Sequence, residues 1–505
     1  MKDNSIKAKM HPAMFFVILS FLTIILSFVL SLINLQANEM SMSVATSKVS
    51  TTILTVESLL SLDGFKFIFG EAINNFLKFI PLGTLIVGLV GIGVAIKTGF
   101  LKSIFKKIAD HIPRRTAFFV LSLLCIVMGF SSDLAYIVMI PIASIMFTEY
   151  KRSQTVGMTM AFVSVAAGSN INLFITSIDY SLIELASPAV KMIDADYNYG
   201  YSGNIYFIVV ASLMLAYLLS KITDVIARTK PVRIGDEELK VSTKADKRGL
   251  KNAFIAFFIL LVIFVYAIIP NLPLSGMLLD NTQHLYVNKL FGANSPFTNG
   301  ILYIVSLTFA ICGIIYGVST KLIKNENDVI KYLTASLNGI GEMLLLIFVA
   351  SQFVALFRYS NIGEVLTANM FEFISKQEFS FIILILITFA FVFISGLLLP
   401  SLSTKWSMFV PLLVPLFMKS NITPEFTGAI FRLASSLSNI VTPTLSYFVI
   451  YLGFIGLYSK DDFNVKKCYK LLVPYFIGVL ILWLFIIIGW YVLKAPIGPN
   501  VLPSI

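Results

Sequence analysis

The chain has 505 residues, of which 57% are hydrophobic and only 13% charged, with a mean hydropathy of +0.87. A water-soluble domain carries about 25% charged residues, so the polar surface here is too small to cover a soluble enzyme of this length. The net charge of +11 does not point to nucleic acid, because the lysines and arginines sit in short loops between apolar runs.

In chain order, apolar segments fall near 13–33, 79–97, 116–148, 155–178, 204–221, 252–270, 299–319, 334–357, 380–418, 427–453 and 471–494. Most have the length of a membrane helix, and the short alternating segments of a membrane barrel are absent. The expected fold is an all-α polytopic membrane protein. The first apolar run follows a basic start but no small-residue cleavage pattern follows it, so it reads as a span rather than a signal peptide. Segments 116–148 and 380–418 are too long for one span, and each is interrupted by a polar patch, GFSSD at 129–133 and LPSLSTKW at 399–406. Re-entrant helical hairpins fit these lengths, provided protein or a water-filled cavity covers their non-helical tips.

With both hairpins re-entrant, nine spans remain. Lys and Arg then number 27 on the side of the N-terminus and 9 on the other, with Lys405 and Arg432 inside the apolar zone. That asymmetry places the N-terminus in the cytoplasm and the C-terminus outside. The pattern also repeats. SSD at 131–133 and GSNIN at 168–172 correspond to SLSTK at 401–405 and LSNIVTP at 437–443, and Asn170 and Asn439 are 269 residues apart. The expected organisation is a first repeat over 1–221, with four spans and the hairpin 116–148. Residues 222–298 supply a cytoplasmic linker, a connecting span at 252–270 and an outer loop. A second repeat covers 299–494, with four spans and the hairpin 380–418, and 495–505 is a short external tail. The single connecting span inverts one repeat against the other, the arrangement of secondary transporters with a site near the midplane.

The polar residues within this apolar frame are the site candidates. Asp133, at the first hairpin tip, is either a helix cap or an ion-coupling carboxylate. Ser131, Ser132, Ser403 and Thr404 occupy cap positions. Pro443 breaks its helix near Asn439 and frees carbonyls. Those carbonyls, with Asn170, Asn172, Asn439 and hydroxyls such as Thr442, make a neutral oxygen cage suited to Na⁺. Asp179 is an accessible carboxylate or the first residue of a loop. Arg432 either offers a fork to a substrate carboxylate or pairs with Glu425 or the headgroups. Lys405 is a tip charge beside Trp406, and Glu342 an isolated acid in a span that needs a partner. No ATP-binding, HExxH or CxxC pattern occurs. The three histidines, His11, His111 and His284, read as loop residues that form no relay, and Cys125, Cys312 and Cys468 as reduced and structural. These features favour a transporter over an enzyme and require no cofactor beyond a coupling Na⁺.

LLSLDGFKFIFGEAINNFLKFIPLGTLIVGLVGIGVAIKTGFL at 59–101, SSDLAYIVMIPIA at 131–143, NINLFITSID at 170–179, STKWSMFVPLLVPLFM at 403–418 and RLASSLSNIVTPTLSYF at 432–448 resemble the p-aminobenzoyl-glutamate (AbgT) transporter family. The resemblance implies a homodimer in the bacterial inner membrane, each subunit with nine spans and two hairpins. It also implies ion-coupled transport of p-aminobenzoyl-glutamate or export of sulfonamide-like antimetabolites. By the same resemblance, Asp179, Asn172, Ser403, Lys405, Trp406, Arg432, Asn439 and Pro443 match the family's site positions. Ala434 and Ser435 stand where the family has Gly-Asp, and Gly396 and Pro400 where it commonly has Asn and Gly. Loss of that Asp implies an Arg432 that is less neutralised and more open to an anion, with coupling rerouted through Asp179, Asp133 or Glu342. The substrate is expected between the hairpin tips and the broken helices, its carboxylates on Arg432 and its ring on Trp406, with Ser435 in the ion region. Na⁺ is favoured over H⁺ because the cage is rich in oxygen and poor in acids. A proton-driven exporter of sulfonamide-like antimetabolites, or a dicarboxylate–sodium symporter, on the same architecture is the alternative.

Overall fold

The computed structural model describes residues 10–43, 48–229, 243–292, 294–375, 380–459 and 463–505. Several residues of the charge argument, among them Lys2, Lys7, Lys9, Lys376 and the basic part of 230–242, lie outside the described residues. The protein is a mostly helical, multi-pass membrane protein. Seven described helices are long and apolar enough to cross a bilayer: Pro12–Leu32, Ser132–Glu149, Ile205–Thr229, Thr243–Ile268, Pro296–Ser319, Ile340–Tyr359 and Val465–Leu493. An eighth arises if Pro81–Lys97 and Phe100–His111 are taken as one span bent by 64°. The bend falls where Gly99 adopts φ 83, a left-handed conformation open to glycine. His111, expected in a loop, ends this helix.

One element departs from an all-α fold. Gln36–Ser43 and Lys48–Thr55 pair as an antiparallel hairpin, in register from Gln36 opposite Thr55 to Ser43 opposite Lys48. The second strand, KVSTTILT, is rich in the β-branched residues that suit a pleated surface. Asn369 donates to the Gln36 carbonyl at 3.1 Å and Asn361 to that of Thr55 at 3.3 Å, tying the hairpin to the helical body. The sequence reading missed it because eight polar and mixed residues between apolar runs look like a loop.

Four helix pairs separated by short breaks surround the centre. Arg114–Met128 and Ser132–Glu149 flank a short turn at 129–131, and Phe381–Leu398 and Leu402–Lys419 a second at 399–401; these turns are the first and second tip. Gln154–Gly168 and Ser177–Ile193 flank one interrupted helix, Pro424–Asn439 and Ser446–Tyr458 the other. A 15-residue helix such as Gln154–Gly168 rises about 22 Å, less than the ~30 Å hydrocarbon core. Its residues from Thr155 onward, and every residue of Pro424–Asn439, are buried. These two helices, buried along almost their whole length, therefore occupy the middle of the molecule. Small residues allow the outer helices to close around them. At Gly91 a Cβ would run into the Ser306 carbonyl, and Ser306 Oγ instead donates to the Val87 carbonyl at 2.5 Å. Cys125, Cys312 and Cys468 are buried, and no disulfide forms among the described residues.

Candidate functional site

The centre of the molecule is a buried ion pair between the two interrupted helices. Arg432, 1% exposed, donates from Nη1 to Asp179 Oδ1 at 2.7 Å and from Nε to the Asn170 carbonyl at 2.6 Å. Asp179 is fixed locally before it meets the arginine. It is the third residue of Ser177–Ile193, and its Oδ2 accepts from Thr176 N at 2.7 Å and Thr176 Oγ1 at 3.0 Å, closing a capping box. Two sequence expectations are corrected here. Asp179 is neither accessible nor a loop residue, being only 4% exposed inside a helix. Arg432 is not left under-neutralised by the missing acid at 435, because Asp179, 253 positions away, supplies the charge. Nor does it pair with Glu425.

At the break of each interrupted helix an asparagine has an unmet hydrogen-bonding need. Asn170 Nδ2 and Asn439 Oδ1 are buried and have no partner. One is a donor and the other an acceptor. Asn172 is committed locally: at φ 32 it turns the chain, donates to the Val127 carbonyl at 3.1 Å and accepts from Leu173 N at 2.8 Å. It joins the first break to the first tip.

At the second tip Lys405 is wholly buried and donates to Ser435 Oγ at 2.6 Å. Gly396 makes this possible, since a Cβ there would run into Ser438 Oγ and lie 2.9 Å from Lys405 Nζ. Gly396 and Ser435 thus belong to one arrangement around one amine. Trp406 is also wholly buried. Its Nε1 donates to the Leu182 carbonyl at 2.8 Å and its ring lies 4.6 Å from that of Phe431. The indole thus braces the tip helix against Ser177–Ile193 and presents no open face to a solute. Ser403 is exposed and on the other side of the helix. The cap of this helix is Ser401, which accepts from Thr404 N at 3.3 Å, rather than Ser403 or Thr404. In the break that contains Pro443, Thr442 and Thr444 both donate to the Leu397 carbonyl, at 2.7 and 3.1 Å. The proline break is thereby stitched to the end of Phe381–Leu398.

The first tip is held in a comparable way. Asp133 Oδ1 accepts from Tyr447 Oη at 2.7 Å and from Thr84 Oγ1 at 3.2 Å. Tyr136, one turn on, stacks on Tyr447 with centroids 4.5 Å apart. Asp133 is therefore a cross-link between a tip, the helix Pro81–Lys97 and the second interrupted helix; it does not contact Arg432. Glu342 lies away from the site, half-exposed, with His11 Nε2 at 3.1 Å.

Arg432, Asp179 and Asn170 meet at one point, while Lys405 and Ser435 form a second contact and Thr442 and Asp133 a third and fourth. Thr84, Tyr447 and Leu182 were not legible as partners. Tyr447 ends the polar strip RLASSLSNIVTPTLSY, which was a usable signal, but Thr84 and Leu182 lie in ordinary apolar sequence.

A p-aminobenzoyl-glutamate transport protein of Escherichia coli (strain K12) is 26% identical over 506 positions, covering 98% of this chain and 94% of that protein. Two solved structures are similar at 27% identity and a TM-score of 0.49. One is the YdaH transporter of Alcanivorax borkumensis, covering 97% of this chain and 100% of that one. The other is MtrF of Neisseria gonorrhoeae, whose structure illuminates a class of antimetabolite efflux pumps, covering 98% of each chain. The profile of the AbgT transporter family matches residues 6–504, and the chain belongs to that family of transporters.

Proposed function

We propose that this protein is an ion-coupled secondary transporter of p-aminobenzoyl-glutamate or a similar aromatic carboxylate, working by alternating access. The observation that carries the reading is the pair of unmet groups, Asn170 Nδ2 and Asn439 Oδ1, one at the break of each interrupted helix, with the Arg432–Asp179 bridge buried between those helices. Buried polar groups are rarely left unpaired, and a solute that both donates and accepts, as an amide does, would satisfy both. The E. coli relative's name supplies a cargo with that chemistry. In this reading the solute binds between the two interrupted helices and the hairpin tips, with Lys405 and Ser403 contributing as the tip moves. Rocking of one bundle against the other then exposes the site alternately.

The proposal includes nine spans with two re-entrant hairpins in inverted repeats, and a homodimer in the bacterial inner membrane. The N-terminus is cytoplasmic and the C-terminus external, following the basic-residue asymmetry. Na⁺ is the proposed coupling ion, because the buried middle of the molecule is rich in neutral oxygens and poor in free acids, which suits a hard cation. Counterflow of labelled p-aminobenzoyl-glutamate in proteoliposomes, with and without a Na⁺ gradient, tests the reading. Exchange accelerated by the unlabelled compound and accumulation driven by Na⁺ are expected. Exchange with sulfonamides or dicarboxylates alone overturns the cargo, and accumulation driven only by a proton gradient overturns the ion.

A further inference from the structure

Above the central bridge, toward the start of Pro424–Asn439, Glu425 is 1% exposed and sits in the first turn. Its Oε2 accepts from Tyr197 Oη at 2.8 Å, while its Oε1 is buried and has no partner. Burial, together with the adjacent Glu425 charge, pushes the Tyr197 hydroxyl well above the usual tyrosine range, so that phenol remains a donor. The loop residues that follow Tyr197 close over the carboxylate. A Cβ at Gly203 would lie 2.7 Å from Glu425 Cγ and 3.3 Å from Oε1, so the side chain runs directly against that backbone. The next residue, Asn204, has its Oδ1 buried and also without a partner. One turn along from Glu425, a Cβ at Gly428 would meet Tyr199 Oη at 3.7 Å and Asn204 Nδ2 at 3.9 Å. Tyr199 and Asn204 therefore converge on the same side of the helix as the carboxylate.

With Glu425 ionised, both unmet atoms are acceptors. Among the described residues no lysine or arginine pairs with Glu425; the arginine of its own helix, Arg432, is committed to Asp179 and Asn170. A buried carboxylate without a counter-charge is costly, and a donor set made only of oxygens with a single negative charge matches a hard monovalent cation.

We infer that Glu425, Asn204 and Tyr199 form a binding site for an alkali cation, closed from above by the loop that carries Tyr197. This deepens the coupled-transport reading and rests on it for the ion's role, though not for its binding. The test is an equilibrium measurement on the purified protein: ²²Na⁺ binding, and thermal unfolding in NaCl against choline chloride at equal ionic strength. Saturable binding and stabilisation by Na⁺ are expected, abolished in Glu425→Gln and weakened about tenfold in Asn204→Leu. Tyr197→Phe, which removes the donor but no cation ligand, is expected to keep the response. Saturation by K⁺ in place of Na⁺ supports the site equally. An equal response to Na⁺ and choline, or wild-type binding in Glu425→Gln, overturns it. If Glu425→Gln fails to fold, Asn204→Leu with unchanged binding does so as well. Na⁺ binding without Na⁺-driven uptake defeats the coupling reading and leaves the site standing. Na⁺-driven uptake that persists in Glu425→Gln overturns this site's role in coupling, while the binding measurement alone decides whether the site exists.

Discussion

Asp179→Asn is the most informative perturbation of the central bridge. The amide can keep its oxygen on Thr176 N, so the helix cap survives, while an NH2 replaces the oxygen that faced Arg432 and both the charge and the acceptor of that contact are lost. At 2.7 Å and an effective dielectric of about 20, the gross attraction to Arg432 is about 6 kcal/mol. Desolvation of two side chains that are 2% and 4% exposed cancels much of that, but removing one partner leaves the other charge buried and alone. The expected loss is about 3–5 kcal/mol for Asp179→Asn or Arg432→Met. The double variant carries no stranded charge and should lose far less than the sum of the two. Unfolding of the purified protein measures stability, and counterflow measures transport. Both single variants should lose stability, whereas the double variant should regain most of it and still fail to transport, because the two interrupted helices no longer share a charged contact. Additive losses in the double variant, or an Asp179→Asn protein with wild-type stability and exchange, refute the bridge as the central brace.

Ser435→Asp places a carboxylate against Lys405 Nζ, which already lies 2.6 Å from Ser435 Oγ. The ammonium–hydroxyl contact becomes an ion pair worth about 1.5–3 kcal/mol, so higher thermal stability is expected, with a changed pH dependence of uptake. An unchanged melting temperature and pH profile would count against any role for this position. Gly396→Ala should cost about 1–3 kcal/mol through overpacking against Ser438 and Lys405, and Ser438→Ala should relieve part of it in the same unfolding assay. Trp406→Phe removes the donor to the Leu182 carbonyl and should lower stability by about 1–3 kcal/mol, with little change in KM. A large rise in KM at unchanged stability would instead assign the indole to the substrate.

The sequence alone determined the membrane class, the two polar interruptions in overlong segments, and the positions where helices break. Hydropathy and proline act locally, so the run from Arg432 to Tyr447 announces its break without help from the rest of the chain. It also picked out Arg432, Asp179, Asn170, Lys405 and Ser435 as individuals, because an ionisable or amide group in an apolar stretch needs a reason. Which of them meet was decided only by the tertiary structure. Asp179 and Arg432 are 253 residues apart, Asp133 and Tyr447 314, and neither pairing leaves a periodic trace in the chain. Trp406 shows the difference most clearly. An indole beside a lysine at a hairpin tip reads as a platform for an aromatic solute, yet a carbonyl 224 residues away takes its N–H and Phe431 its ring. A buried hydrogen bond depends on both partners, and a sequence displays them one at a time.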